Sequence, residues 1–261
     1  MFSYVDSSIR ESLESENLIR TLDRNGAIVN SSGDQAYISI LGPVPMPRVI
    51  DGEEVTLHWF PFVRRTELST VLDSAAGVVH GGEEAFRDLV NSSMQVNSVF
   101  AFPGFDKAEE PLVRVHSCCM TGDVAGSLRC DCGPQLDAAF ETINSSGNGA
   151  VVYMAGHEGR GIGLWAKAVT YLLQDRGHDT YEANTALGLP EDSRDFSDAA
   201  FVLKFLLQGR PIKLLSNNPE KKVQLEQNGQ KVSEQVSLIA GICQHNKRYL
   251  EAKKDRGHKI D

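Results

Sequence analysis

The chain has no apolar run of the roughly 18 residues that a membrane-spanning helix needs, and no internal repeat or low-complexity tract. It also lacks a surplus of positive charge: 26 Lys and Arg stand against 35 Asp and Glu, leaving a net charge of −9. That balance removes any general attraction to nucleic acid or to a membrane surface. With no basic helix, a zinc-type DNA-binding module is disfavoured as well. Cysteine is scarce, five in 261 residues. The count is odd and four of the five crowd together, a poor layout for a disulfide framework. The opening residues Met1-Phe2-Ser3-Tyr4-Val5-Asp6 have neither the basic start nor the apolar run of a secretory signal. The expectation is a reduced, cytoplasmic protein with no membrane and no nucleic acid among its partners.

Hydrophobic residues make up 41% and charged residues 23%, enough for a real globular core. The length predicts one main domain plus a smaller segment. Residues 1–108 carry no chemical motif and read as a smaller, β-containing segment. Within it, Leu57-His58-Trp59-Phe60-Pro61-Phe62-Val63 reads as a strand whose proline marks a bulge or a sheet edge. A turn-rich connector, Phe102 to Lys107, precedes the main part at 109–261.

From Leu112 the pattern alternates between strands and helices. Leu112–His116, Ala150–Met154 and Ile212–Ser216 read as strands. Leu136, Phe140 and Ile143 keep helical spacing up to Ser146-Gly147. A second helix runs from about Leu164 to Asp175, and a third starts at Asn217-Asn218-Pro219 with a cap and a proline. The predicted class is α/β (α+β).

Cys119, Cys130 and Cys132 form a C-x10-C-x-C arrangement. Thiolates suit zinc, and three protein ligands leave a fourth position open, the plan of a catalytic rather than a structural ion. Two other readings stay open on spacing alone. One is a closed structural site with Cys118, His116 or His157 as fourth ligand; the other is a set of inert buried thiols. Adjacent cysteines rarely bind one ion together, so Cys118 is left out of the set.

His157-Glu158-Gly159-Arg160-Gly161-Ile162-Gly163-Leu164 lies between a strand and a helix. Its glycines permit close backbone approach, the helix start favours an anion, and Arg160 offers a planar fork for phosphate. Lys221 and Lys222, in the first turn of the helix at Pro219, oppose its dipole unless an anion sits there. A tight turn and a solvated face are the plainer accounts of these two features.

Taken in order, Arg114-Val115-His116-Ser117, Cys119-Met120-Thr121-Gly122-Asp123, Ser127 through Gly133, Glu158 through Leu164, Arg194-Asp195-Phe196, Leu214 through Pro219 and the closing Tyr249 to His258 resemble the GTP cyclohydrolase II family. The resemblance covers roughly residues 110 to 259. It implies hydrolysis of GTP in the first step of riboflavin synthesis. The imidazole ring opens, and formate and pyrophosphate leave, giving 2,5-diamino-6-ribosylamino-4(3H)-pyrimidinone 5′-phosphate. It further implies one zinc per chain on Cys119, Cys130 and Cys132, magnesium with the triphosphate, and a homodimer. By the same resemblance Arg194, Asp192 and Tyr171 are catalytic. Asp192 falls at a general-base position and Tyr171 at one linked to completing ring opening and deformylation. Arg194 falls at a position proposed to attack the α-phosphate; a guanidinium is almost always protonated, so stabilising the departing pyrophosphate is its plainer role. GTP contacts are implied for Arg114, His116, Ser117, Gln135, Glu158, Arg160, Thr180, Ser216 and Lys221. The cations among them answer the roughly four negative charges of a nucleoside triphosphate.

The sequence departs from the family pattern at Cys118, where glutamate is expected. It departs again in Tyr153–Glu158, which has one extra residue, no arginine, and His157 in a glutamine's place. Ala166 and Val169 replace polar residues, and Ser216 replaces threonine while keeping the hydroxyl. Three functional readings follow: the cyclohydrolase itself; a paralogue that opens a related purine nucleotide or stops at a formamidopyrimidine; and a non-catalytic nucleotide-binding regulator with structural zinc. The retained Tyr171 speaks against early stopping, and the intact Cys119, Cys130, Cys132 and Arg194 speak against the regulator.

Overall fold

A computed structural model describes residues 7–31, 33–64 and 95–259. The opening hexapeptide read above lies outside the described residues. Nine strands form one sheet: β1 (Ile19–Leu22), β2 (Ile38–Leu41), β3 (Val44–Ile50), β4 (Glu53–Arg64), β5 (Asn97–Ala101), β6 (Leu112–Ser117), β7 (Gly149–Met154), β8 (Ile212–Leu215) and β9 (Val232–Val236). Their order is β1-β2-β4-β5-β7-β6-β8-β9, with β3 paired beside β4. Neighbours are antiparallel from β1 through the β5–β7 pair, and parallel across β7-β6-β8-β9. The connector at 102–107 therefore separates β5 and β6 in sequence, while β5 pairs directly with β7 in space.

The α-helices among the described residues are α1 (Ser7–Ser15), α2 (Met120–Asp123), α3 (Cys132–Ser146), α4 (Leu164–Asp175), α5 (Glu182–Ala186), α6 (Ser197–Leu206), α7 (Pro219–Gln227) and α8 (Lys247–Asp255). The period-two alternation of strand side chains divides the core between the two faces of the sheet. Val113, Val115, Val152 and Leu214 pack with Phe196, Ala199, Ala200 and Leu203 of the α6 region. Val151 and Leu215 face the other way, onto Ala139, Phe140 and Ile143 of α3. Helix limits follow local chemistry. Gly147 closes α3 in the left-handed conformation, and Asn218 caps α7 by accepting from Glu220 N at 3.0 Å, with Pro219 behind it.

Of the two places expected for Pro61, a sheet edge or a bulge, the edge is excluded and a break in the ladder is found. β4 is interior, paired with β5 on one side and with β3 and then β2 on the other. The proline is tolerated because it falls where that second neighbour changes. The β3 ladder ends at Trp59 opposite Val44, and the β2 ladder begins at Phe62 opposite Ile40. Strand β3 contains two further prolines, Pro45 and Pro47, and its strand partner among the described residues is β4 alone.

Parallel strands β6, β7 and β8 run the same way, so their carboxyl ends share one edge. Ligands of parallel α/β sheets collect outside that edge. Here it brings together Ser117–Cys119, Met154–Glu158 and Ser216–Asn218.

Candidate active site

The residues after β6, β7 and β8 frame a cleft of about 1040 Å³, counting the solvent at its mouth. Its floor holds the sulfur atoms of Cys119, Cys130 and Cys132, all within 4.8 Å of one another. Cys119 arrives at the end of β6; the other two flank the start of α3. Gly122 and Gly133 make this approach possible. A Cβ at Gly122 would meet Cys130 Sγ at 3.0 Å and Cys119 Sγ at 3.1 Å, and one at Gly133 would meet the Gly122 carbonyl at 2.3 Å. Sharing hydrogen bonds with its two neighbours holds the Cys119 thiol well below the ordinary range. The same bonds push Cys130 up to about 11 and raise Cys132. Three soft donors converging in a cradle without bulk fit a thiolate-bound metal.

Behind the sulfurs stands a charged layer. Lys167 Nζ donates to Cys119 Sγ at 3.1 Å and to Glu158 Oε1 at 2.5 Å. Glu158 also accepts from Met120 N at 2.6 Å, from Gly159 N at 3.1 Å and from Cys118 Sγ at 3.7 Å. Its carboxylate is thereby committed to the wall and does not line the cleft. Burial pushes the Cys118 thiol up to about 11, so it stays a neutral donor.

Asp123, the last residue of α2, orders a second layer. It accepts from Cys119 N and Tyr153 Oη, each at 2.9 Å, and lies 3.1 Å from His116 Nε2. Tyr153 stacks on the His116 ring with centroids 5.5 Å apart. Burial keeps His116 below its usual pKa despite the facing carboxylate. The neutral ring gives its Nε2 proton to Asp123 and leaves Nδ1 as a buried acceptor with no partner.

The walls carry cations. Arg114 donates to Leu215 O at 3.1 Å and to Gln135 Oε1 at 2.6 Å, while its Nε has no partner. The buried Lys221 Nζ donates to Val115 O at 2.7 Å. Burial, then the charges of Arg114, Arg194 and Lys253, depress its pKa strongly. Lys222 by contrast points out and pairs with Glu226 at 3.9 Å. Arg160 sits in a 3₁₀ turn (Ala155–Gly161) with φ 65°, left-handed for a residue bearing a side chain. Its guanidinium lies 3.9 Å from the Tyr181 ring centroid and 3.6 Å from Asp192, with Nη2 unpartnered. Thr180 and Ser216 line the same cleft.

Arg194 faces the cleft and is paired with Asp192, which accepts from its Nε at 2.9 Å and from its backbone N at 3.1 Å. Burial works against the Arg194 charge, but Asp192 more than offsets it and the guanidinium pKa rises. In return Asp192 stays below the ordinary carboxylate range: burial raises its pKa, and Arg194 lowers it by more. Asp192 is not among the residues that line the cleft; it stands at its exposed rim. His157 ties this loop to β6. It contacts Ser117 Oγ at 3.3 Å and the Asp195 carbonyl at 3.1 Å, and Arg194 Nη1 reaches Ser117 Oγ at 3.4 Å. The longer turn that holds His157 is pinned from β5, whose Asn97 Oδ1 accepts from Ala155 N at 2.9 Å. Tyr171 lines the thiol end. Its hydroxyl is 3.0 Å from Thr121 Oγ1, and Arg129 lies 4.5 Å from its ring centroid.

The cleft thus gathers Arg114, His116, Ser117, Gln135, Arg160, Tyr171, Thr180, Arg194, Ser216, Lys221 and the three cysteines, with Glu158 buried behind them and Asp192 outside the lining. Sequence reasoning missed Lys167, Asp123 and Lys253. Lys167 had a signal: it stands four residues before Tyr171, on the same helical face.

A family model for GTP cyclohydrolase II matches residues 79–237. The chain is 54% identical over 153 residues to a riboflavin biosynthesis protein RibBA of Nocardia farcinica, covering 58% of this chain and 37% of the relative. It is 46% identical over 203 residues to the protein of that name from Salinispora arenicola, covering 76% and 48%. It therefore spans less than half the length of these relatives. Agreement over well more than half of this chain, across the segment that builds the thiol floor and the cationic walls, establishes that the chain belongs to the GTP cyclohydrolase II family.

Proposed function

We propose that the chain is a zinc-dependent hydrolase that opens the imidazole ring of GTP, releasing formate and pyrophosphate and leaving the diaminopyrimidinone 5′-phosphate of riboflavin synthesis. The observation that carries this reading is one cleft holding both three converged thiols and buried cations short of partners. Arg114 Nε and Arg160 Nη2 are buried without hydrogen bonds, and Lys221 is buried on a carbonyl alone. Buried donors without acceptors are costly, and the oxygens of a triphosphate would supply the acceptors.

Zinc held by Cys119, Cys130 and Cys132 supplies Lewis acidity for activating water at carbon 8. Lys167 and Asp123 hold the Cys119 end of the site in place through its sulfur and its backbone N–H. His116 Nδ1 offers an acceptor to a purine or ribose donor. Arg160, Arg194 and Lys221 receive the phosphate chain, with magnesium accompanying it, and Arg114, Gln135, Ser117, Thr180 and Ser216 complete the contacts. Arg194, with its raised pKa, remains a cation and stabilises the departing pyrophosphate. Asp192 keeps that guanidinium aimed. Tyr171 stands beside the thiols, where its hydroxyl can pass a proton during ring opening and deformylation. The reaction unit is residues 109–261, acting as a cytoplasmic homodimer, with β1–β5 extending the sheet and Asn97 holding the turn at His157.

The test is to incubate zinc-loaded protein with GTP and magnesium while following formate, pyrophosphate and the ultraviolet spectrum of the product. Equal formate and pyrophosphate with a diaminopyrimidinone spectrum supports the reading. Ring opening without formate identifies a formamidopyrimidine-forming paralogue. No turnover by protein that retains zinc defeats the proposal.

A further inference from the structure

The family match ends at residue 237, yet the chain then returns across the cleft. Gly241 packs so closely on Pro134 that a Cβ would lie 2.6 Å from that ring. Arg248 Nη2 donates to Gly177 O at 2.9 Å, and Lys253 Nζ to Asp131 Oδ1 at 2.7 Å. Asp131 stands between Cys130 and Cys132 and also accepts from Gln135 at 2.6 Å. At the far end Lys259 N donates to Asn217 O at 3.0 Å, beside the start of α7. The segment thus bridges the thiol floor and the Lys221 helix, and Tyr249, Lys253 and His258 face the cleft between them.

Two of these side chains have unused capacity. Asp131 occupies one of three ammonium hydrogens of Lys253. His258 Nδ1 is buried without a partner among the described residues. Burial and the charges of Lys253, Arg160, Arg194 and Lys221 hold that imidazole to about 4. An imidazole among four cations gains a partner when an anionic oxygen enters, and the anion offsets the repulsion that keeps it neutral.

We propose that residues 238–259 form a third wall of the nucleotide site, in which Lys253 and His258 bind the phosphate chain of the ligand. This rests on the reading of the cleft as a triphosphate site.

Inorganic tripolyphosphate titrated calorimetrically into the zinc-loaded full chain tests it, with zinc content and melting temperature measured alongside. Lys253→Met and His258→Gln should each weaken binding roughly tenfold, the loss expected for a hydrogen bond to a charged group, and keep their zinc. Lys254→Met, exposed on the same helix, should bind as the unaltered chain does. Unchanged binding in both cleft variants overturns the proposal, as does absence of tripolyphosphate binding in the unaltered chain. It also falls if Lys253→Met loses its zinc while His258→Gln binds normally, since the lysine would then serve the metal loop alone. A chain that binds tripolyphosphate through these residues but leaves GTP intact keeps the wall and refutes the GTP hydrolase reading.

Discussion

Lys167 Nζ lies 3.1 Å from Cys119 Sγ, reaching from the first turn of α4 to the residues just after β6. The same ammonium closes an ion pair with Glu158 in the turn that precedes α4. One cation therefore sets the distance between a thiol of the cleft floor and the turn that carries Arg160. Outer partners of this kind orient ligands and tune affinity.

Replacing Lys167 by Met removes the donor to sulfur and leaves the Glu158 carboxylate buried and unpaired. Zinc affinity should fall about 10- to 100-fold, and unfolding free energy by about 3 kcal/mol. Competition with a chromophoric chelator and urea denaturation measure the two effects. Unchanged zinc affinity would show that the lysine supports the fold alone.

Tyr171→Phe should keep zinc and melting temperature, because the lost hydroxyl meets only Thr121 Oγ1 among the contacts of the ring and its tip. Formate release should drop on the order of 100-fold, the usual contribution of a positioned proton donor. Stopped-flow absorbance beside a formate assay reads this. A wild-type rate would remove Tyr171 from the chemistry.

Arg64, at the end of β4, donates to Asp198 and to Asp195, each at 2.6 Å. Asp198 is buried, and burial raises its pKa. Arg64→Met should destabilise the protein by about 3 kcal/mol, the cost of stranding a buried carboxylate. Arg64→Lys should recover part of that loss. A double-mutant cycle with Asp198→Asn should show strong coupling in urea midpoints; additive effects would contradict the pairing.

His157 is held to about 4, first by burial and then by the Arg194 charge. The unfolded chain takes up that proton near the ordinary value of about 6.5, while the folded chain resists it. Its contribution to stability is therefore present above pH 6.5 and lost as pH falls toward 4. At pH 5 the loss is on the order of 2 kcal/mol. His157→Asn should lose that much less between about pH 7.5 and pH 5, with His258 adding an equal decline in both proteins. Matched urea curves at the two pH values decide it.

Much of this site was legible before folding. Cys119, Cys130 and Cys132 stood out because the C-x10-C-x-C spacing suits three thiolates on one ion, and the fold does bring their sulfurs together. Helix α4 was bounded by its glycines, and α7 by Asn218 and Pro219. The layer behind was not legible. Asp123 and Lys167 look like ordinary surface charges until β6 and α4 are brought together. Glu158 was expected against the ligand; the left-handed backbone at Gly159 and Arg160 turns the arginine into the cleft and leaves the glutamate behind it. The pairing of β5 with β7 had no local signal, since strand neighbours distant in sequence are chosen by burial rather than by turn chemistry.

Strand β3 has a consequence for how these molecules meet one another. A strand with an open side offers a row of donors and acceptors that another chain can extend. Pro45 and Pro47 stand two apart, so both ring nitrogens point to the same side. A paired strand accepts prolines where that side faces away from its ladder. Along β3 the outward margin is therefore short of two donors, and in crowded solution it is a poor template for fibrillar growth.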